Sequence, residues 1–573
     1  MVDTRQVLDA RLRAAFDALE PGADPVLRPS DHADFQANGA LALAKRLGRP
    51  PRQVAEEVVA GADLGGVCQR VEVSGPGFIN LTLTDLFVAS QLASLGADPR
   101  LGVDPVAPEV VVVDYSAPNV AKEMHVGHLR GTVIGDALCR MLSFLGHEVR
   151  RENHIGDWGT PFGMLIEHLV DLGEEKAVHE LSVGDLDTFY RQARASFDED
   201  EAFRERARRR VVALQAGDPE TLRLWHLLVE QSVRYFDEVY AKLGVLLTDD
   251  DIAGESSYNP ELPRVVRDLE TEGLLVESDG ARCIFPPGFT NREGEPLPLI
   301  IQKSDGGFGY AATDLAALRD RVERLGATLI LYVVGAPQAQ HFEMVFAAAA
   351  MAGWLPDTVR ATHVAFGSVL DADRKMFRTR SGQQVRLVDL LDESVQRAGA
   401  AVAAKNPDLD ADTRDQVATM LGIGAIKYAD LSTERTRDYV FDWERMLAFE
   451  GNTAPYLQYA HARIRSIFRR GDVAVPRPGG TPLLSEPVER ELALALLGFP
   501  EALSSALSAW SPSRLGAHLY ELATTFTRFY ETCPVLKAPT DDLRASRLVL
   551  ADLTARVLAQ GLALMGIDAP DRM

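Results

Sequence analysis

The chain has 573 residues, 46% of them hydrophobic and 25% charged, the profile of an ordinary soluble protein with roughly three or four domains and ample core. It contains no apolar run of the roughly 18 residues a membrane helix needs and no charged-then-apolar leader, so neither a membrane span nor a signal peptide is expected and a cytoplasmic location is. A formal net charge of −23 weighs against a nucleic-acid partner for the chain as a whole.

In chain order, residues 1–105 open with two amphipathic segments, VLDARLRAAFDAL and ALALAKRLG. VEVSGPGFINLTLT follows, alternating like a strand pair around Gly75, Pro76 and Gly77, and the whole reads as a small α+β module. Residues 106–370 alternate strand-like and helix-like segments, the strands being VVVVDY, EVRRENHIGDW, LILYVVGA and THVAFGSVL, which predicts an α/β domain with a parallel sheet. The stretch from about 165 to 300 mixes charged helices with ARCIFP and PLPLIIQ and reads as an insertion. A connecting region spans 371–435. Helical patterns fill 436–573, an all-α bundle interrupted by the Pro-rich surface loop VAVPRPGGTP. Cys68, Cys139, Cys283 and Cys533 form no C-x-x-C pair, which argues against a disulfide framework or structural zinc site and reads as buried thiols. FRERARRRVV (Phe203 to Val212) and HARIRSIFRR (His461 to Arg470) are basic runs able to make a local positive face on an acidic body, or plain solvated helix faces.

The chemistry concentrates between Asp114 and Thr132. VVVVDY is a β-branched series suited to a buried strand, and from Val126 to Leu145 apolar residues recur at helical spacing until Gly146 offers a stop. His125 and His128, in an H-x-G-H pattern, fall at the start of that helix, three apart and on one side. Free N–H groups and the helix dipole favour an anion there, and imidazoles add donors that can follow charge onto a phosphate. Gly127 removes a Cβ that would block a ligand's approach to the backbone. Either histidine alone would read as an ordinary core or surface residue.

Seven strings in order then carry a resemblance over nearly the full length: SAPNVAKEMHVGHLRGT, NHIGDWGTPFG, GYAATDLAAL, VVGAPQAQHF, RKMFRTRSG, FEGNTAPYLQYAHARI and the terminal APDRM. The chain resembles the class I aminoacyl-tRNA synthetases, and within them the arginyl-tRNA synthetases. That resemblance implies a Rossmann-type catalytic domain with an insertion, an N-terminal additional tRNA-binding domain and a C-terminal anticodon-binding bundle. It implies ATP with Mg2+ as a substrate complex, arginine and tRNA(Arg) as partners, no structural metal, a monomer, and activation that generally requires bound tRNA. Lys375, Met376 and Arg378 fall in the family's K-M-S-K-S loop, degenerate here with Phe377 and Arg378 at its third and fourth places. Lys122, just ahead of H-x-G-H, stands where related enzymes compensate, which makes it a candidate pyrophosphate contact.

Arginine must be chosen by charge, since a guanidinium is planar, always protonated and matched by carboxylates in a fork. Tyr310 and Asp314, four apart, would share a helical face and offer an aromatic plane and an anion, and Glu255 a second carboxylate. The resemblance implies these roles, with Asn119 and Gln338 on the α-amino and carboxylate ends and His125 near the carboxylate. It also implies tRNA contacts through Tyr456, Tyr459, Arg463 and Met573 in the bundle and through Phe87 at the N-terminal end; the two tyrosines read equally well as core. Pro161 departs from the family, which usually has glutamine there, and puts fine specificity or rate in question. Other classes remain open: a small-molecule nucleotidyltransferase, a non-catalytic tRNA-binding paralogue, and a specialised arginyl paralogue tolerant of an arginine-mimicking inhibitor.

Overall fold

The computed structural model describes residues 4–30, 32–177, 186–377, 385–476 and 479–573. At the N-terminal end, β1 (Leu27–Pro29), β2 (Phe35–Ala37), β3 (Cys68–Ser74) and β4 (Phe78–Leu83) form an antiparallel sheet in the order β1-β2-β4-β3. The β3–β4 pair is the alternating hairpin around Gly75 and Gly77, both at positive φ. The helix Thr4–Leu19 buries Leu8, Leu12, Ala15 and Phe16, an i, i+4, i+7, i+8 stripe.

The central sheet contains β5 (Val110–Asp114), β6 (Glu148–Glu152), β10 (Leu329–Tyr332) and β11 (Arg360–His363), all parallel, in the order β11-β10-β5-β6. Val111, Val112, Val113 and Asp114 are buried, as a strand covered on both faces requires. The chain leaves β5 toward β6 on one side and returns as β10 on the other, so the strand order reverses at β5. In such sheets the crevice at the carboxyl ends of the strands, at this reversal, is where ligands fit. The loop carrying H-x-G-H starts there.

Strand ends differ from the sequence reading in two places. EVRRENHIGDW is a strand only to Glu152; Asn153 to Trp158 continues as an irregular segment held by single bridges, Asn119 with Gly156 and Asn153 with Ile252. THVAFGSVL is two short strands. The chain leaves the sheet after His363, passes Gly367, where an added Cβ would lie 2.7 Å from Asp438 Oδ1, and pairs again as β12 (Val369–Leu370) with β13 (Tyr439–Val440).

The carboxyl ends of the strands are tied together by Arg321. Its fully buried guanidinium donates to Asp114 Oδ2 at 2.8 Å and Glu152 Oε2 at 2.6 Å, the last residues of β5 and β6, and lies 4.9 Å from the Tyr332 ring at the end of β10. Between β6 and β10 come the helices Pro161–Leu172, Leu186–Glu199, Glu201–Gln215 and Pro219–Leu243 and an antiparallel sheet of β7 (Val276–Ser278), β8 (Ala281–Ile284) and β9 (Leu299–Gln302). The basic run at Phe203 to Val212 is on one of these helices, and two of its arginines are committed to structure: Arg206 and Arg210 pair with Glu167 at 3.2 and 2.7 Å.

Beyond Ala411 the chain is mainly helical, with Ala411–Leu431, Ala454–Gly471, Pro487–Leu497, Phe499–Ser508, Ser513–Thr532 and Asp541–Leu564 packed around Leu457, Ile464, Leu519, Phe526 and Leu558. The described part of the Pro-rich loop carries no helix or strand. The bundle also reaches the N-terminal module, since Arg490 pairs with Asp34 at 2.6 Å and Asp85 at 2.8 Å, and Arg556 donates to the Gly96 carbonyl at 2.7 Å.

Candidate active site

The Val126–Leu145 helix begins with its two histidines capping each other. The His125 backbone N–H donates to His128 Nδ1 at 3.1 Å, and the Gly127 N–H donates to His125 Nδ1 at 3.0 Å. The rings lie 4.1 Å apart at 45°. This is a capping box built from imidazoles rather than from Ser and Glu. Each Nδ1 accepts a hydrogen bond, so in the neutral ring Nε2 carries the hydrogen, and two Nε2–H donors remain at a helix N-terminus. Burial holds His128 down to about 3 and lowers His125 as well, so both rings are neutral donors. Gly127 has a more local reason than ligand access: an added Cβ would lie 2.7 Å from His125 Cε1 and push the capping ring aside.

Lys122 stands close by, its ammonium 4.6 Å from the centre of the Tyr190 ring, and it adds to the lowering of both imidazoles. Lys375 is exposed on a hairpin: Asp371 N–H donates to the Lys375 carbonyl at 2.8 Å, and Lys375 N–H donates to Asp371 Oδ1 at 2.9 Å. Met376, half exposed, bridges to Leu370, and the Phe377 ring stacks on Phe441 at 4.8 Å. Arg378, with Thr379, Arg380 and Ser381, lies outside the described residues. The chain resumes at Val385, whose carbonyl accepts from Val126 N–H at 3.0 Å, while Leu387 N–H donates to the Met124 carbonyl at 2.8 Å. The far end of the Lys375 segment is therefore bonded to the H-x-G-H turn itself.

The second half of the site hangs on the loops after β6 and β10. Because the strands are parallel, these loops open on the same edge as H-x-G-H. Glu255 begins a 3-10 turn (Glu255–Tyr258) and its N–H donates to the Ile155 carbonyl at 3.1 Å. Asp157 holds that turn through Ser256, accepting its N–H at 2.8 Å and its O–H at 2.6 Å. Burial raises the Glu255 carboxyl to about 7; the charges of Asp157 and Asp314 add to this, and His154 opposes it. Asp314 lies four residues into the Tyr310–Glu323 helix and accepts from His341 Nε2 at 2.6 Å. Tyr310, at the helix start, is 77% exposed. Asn119 is exposed, with its Oδ1 packed where a Cβ on Gly156 would overlap it. Gln338 is exposed in the turn Ala336–Gln338 ahead of the Ala339–Met351 helix.

Pro161 is exposed at the first turn of Pro161–Leu172, where no N–H is needed for the helix and its fixed φ fits. The sequence reading missed Asp157, His341 and the Arg386 anchor, which donates to Glu123 at 3.2 Å beside the histidines. Asp157 and His341 lie inside quoted strings. Nothing in their spacing tells that they meet Ser256 and Asp314, because those contacts join separate loops and helices.

In the bundle, Tyr456 is half-buried with its hydroxyl 3.2 Å from Thr527 Oγ1. Tyr459 is 41% exposed, beside Phe449 and 5.8 Å from the Lys405 ammonium. Arg463 lies over the Tyr530 ring at 4.3 Å, and the Met573 carbonyl accepts from Asn406 Nδ2 at 3.1 Å. Phe87 packs half-buried on the first turn of Asp85–Ala97, whereas its neighbour Leu86 is the exposed one.

Residues 93–443 match the family described as tRNA synthetases class I (R), catalytic domain; residues 4–83 match the arginyl tRNA synthetase N terminal domain, and 457–573 the DALR anticodon binding domain. The arginine–tRNA ligase of Thermobifida fusca is 56% identical over 100% of both chains, and that of Edwardsiella ictaluri 49% identical over 96% of both. The crystal structure of arginyl-tRNA synthetase from Plasmodium falciparum superposes with a TM-score of 0.85 at 29% identity, covering 99% of both chains. The Thermus thermophilus arginyl-tRNA synthetase gives 0.82 at 27% identity, covering 99% of this chain and 100% of that one.

Proposed function

Since the chain belongs to the class I arginyl-tRNA synthetases, we propose that its H-x-G-H turn and its Glu255–Asp314 cluster are the two halves of an arginine-activating site. The enzyme is an arginine–tRNA ligase, an aminoacyl-tRNA ligase that uses ATP. In the first step an oxygen of the arginine carboxylate attacks the ATP α-phosphorus, the bond to the pyrophosphate oxygen breaks, and arginyl-adenylate forms. In the second the 3′-terminal hydroxyl of tRNA(Arg) attacks the adenylate's carbonyl carbon and AMP leaves. No covalent enzyme intermediate is needed, so the protein's contribution is position and charge.

His125 and His128 donate their Nε2 hydrogens to phosphate oxygens without bringing a charge of their own. Lys122 and Lys375 supply the cations, and Met376 and Arg378 complete the ATP contacts around Gly127. Glu255 and Asp314 receive the guanidinium, Tyr310 covers it, and Asn119, Gln338 and His125 hold the α-amino and carboxylate ends. Magnesium arrives with ATP as part of the substrate and offsets charge on its phosphates; among the described residues no group of three or more His, Cys, Asp or Glu is arranged to hold a metal. The tRNA lies along the bundle through Tyr456, Tyr459, Arg463 and Met573, and reaches the N-terminal module near Phe87. The enzyme acts as a monomer in the cytoplasm; among the described residues no helix is long and apolar enough to cross a membrane.

The observation that carries this reading is the reciprocal imidazole cap, which leaves two neutral donors where a helix N-terminus already favours an anion. ATP–pyrophosphate exchange with His128→Ala tests it. Loss of a donor aimed at developing charge is expected to lower exchange about 10²- to 10³-fold; full exchange by the variant would remove His128 from the chemistry.

A further inference from the structure

The Tyr310–Glu323 helix carries three acids, and two of them already have guanidinium partners. Asp320 pairs with Arg324 at 2.7 Å and Glu323 with Arg319 at 2.9 Å, while Arg321 is consumed by Asp114 and Glu152. Asp314 is the exception. Its side chain is 19% exposed, and among the described residues its one hydrogen-bond partner is His341, reached across to the first turn of the Ala339–Met351 helix. His341 is in turn set by Phe342, edge-on at 5.5 Å, and Phe342 packs on Tyr332 at the end of β10 at 4.9 Å. A contact chain therefore runs from the central sheet to one oxygen of one carboxylate.

The choice of partner matters chemically. An arginine or lysine at 341 would place a permanent cation on Asp314, neutralise it and occupy the space an incoming guanidinium needs. An imidazole fixes the carboxylate through a single N–H at one oxygen and leaves the second oxygen for a ligand. A guanidinium gains from this more than an ammonium does, because its planar fork requires a carboxylate of defined orientation.

We propose that His341 is a positioning residue for substrate selection: its Nε2–H holds the Asp314 carboxylate in the orientation that receives a guanidinium. The proposal rests on the reading of Asp314 as a guanidinium ligand, and the two are separable by experiment. Steady-state kinetics of the full-length enzyme with tRNA are compared for His341→Ala, His341→Gln, Asp314→Asn and the double variant His341→Ala/Asp314→Asn. Loss of one charge-assisted orienting bond is expected to raise the arginine KM about tenfold in His341→Ala. The ATP KM stays within about twofold, and His341→Gln, which keeps a donor, recovers part of the arginine loss. Acting through Asp314, His341→Ala adds nothing to Asp314→Asn in the double variant.

A normal arginine KM in His341→Ala beside a raised one in Asp314→Asn overturns the proposal and leaves the Asp314 reading standing. A normal arginine KM in Asp314→Asn overturns that reading, and the proposal with it. Equal rises in the KM for ATP and arginine in His341→Ala, without recovery in His341→Gln, would mean a general structural loss and also overturn it.

Discussion

A half-buried carboxyl poised near neutrality is a partner that a cation can ionise. Glu255, raised to about 7 by burial with Asp157 and Asp314 adding to the rise, is partly protonated in the free enzyme at working pH. A guanidinium favours the carboxylate, so with Glu255 as the proposed guanidinium partner arginine binding is expected to draw a proton off, and affinity to grow as pH rises through about 7 and level above it. Below that range protons compete with arginine, and the arginine KM climbs as pH falls from 8 to 6. Kinetics across that interval check this; Glu255→Gln should raise the KM and flatten its pH profile, and a flat profile in the unaltered enzyme would count against Glu255 as a guanidinium partner. His128 contributes nothing to that slope, since burial holds its imidazole down to about 3, and burial lowers His125 in the same direction.

At the scale of elements, the helix that begins with H-x-G-H must lie close against β5, and Gly135 permits it. An added Cβ there would overlap the Tyr115 side chain just past the strand. Gly135→Ala is expected to destabilise the protein by about 1–3 kcal/mol through overpacking, read as a lowered unfolding midpoint in denaturant; unchanged stability would mean the helix can shift without cost. Much of this element was legible beforehand. β-branched VVVV, the helical recurrence of Leu129, Val133, Ala137 and Met141, and Gly146, at φ 109°, all follow from local rules. The parallel sheet was legible too, because alternation of strand and helix leaves few other arrangements. What stayed hidden were contacts that depend on where distant loops meet. THVAFGSVL reads as one strand because its residues suit one, but after His363 the Gly367 and Ser368 N–H groups donate to the Arg435 carbonyl and Asp438 Oδ1 rather than to the sheet. Asp314 was readable as an acid on a helix face, yet its bond to His341, 27 residues on, has no sequence signature. Gly127 reads as room for a ligand at the backbone, and the structure adds a second task that spacing does not reveal, clearing the His125 ring.

Across the whole molecule, the H-x-G-H helix is tied to the helical C-terminal region by buried charge. Arg130 pairs with Asp430 at 3.2 Å, donates to the Arg437 carbonyl at 2.8 Å and lies 5.3 Å from the Tyr439 ring. Further along the same helix, Asp136 stands 4.0 Å from Lys427, which is fully buried and donates to the Leu243 carbonyl at 2.9 Å. Such pairs add little over apolar packing while intact, but removing one member strands the other. Asp430→Ala is therefore expected to cost about 3–5 kcal/mol of stability, read as a lowered melting temperature; a change under about 1 kcal/mol would mean that water reaches Arg130.

A site that chooses arginine by paired carboxylates and activates it beside two imidazoles should discriminate among amino acids at the first step of the reaction. That discrimination is read by ATP–pyrophosphate exchange with every proteinogenic amino acid, with and without tRNA(Arg). Exchange is predicted for arginine and for no other amino acid, and only when tRNA(Arg) is present; exchange with lysine or glutamine while arginine stays silent would overturn the choice of arginine by these carboxylates.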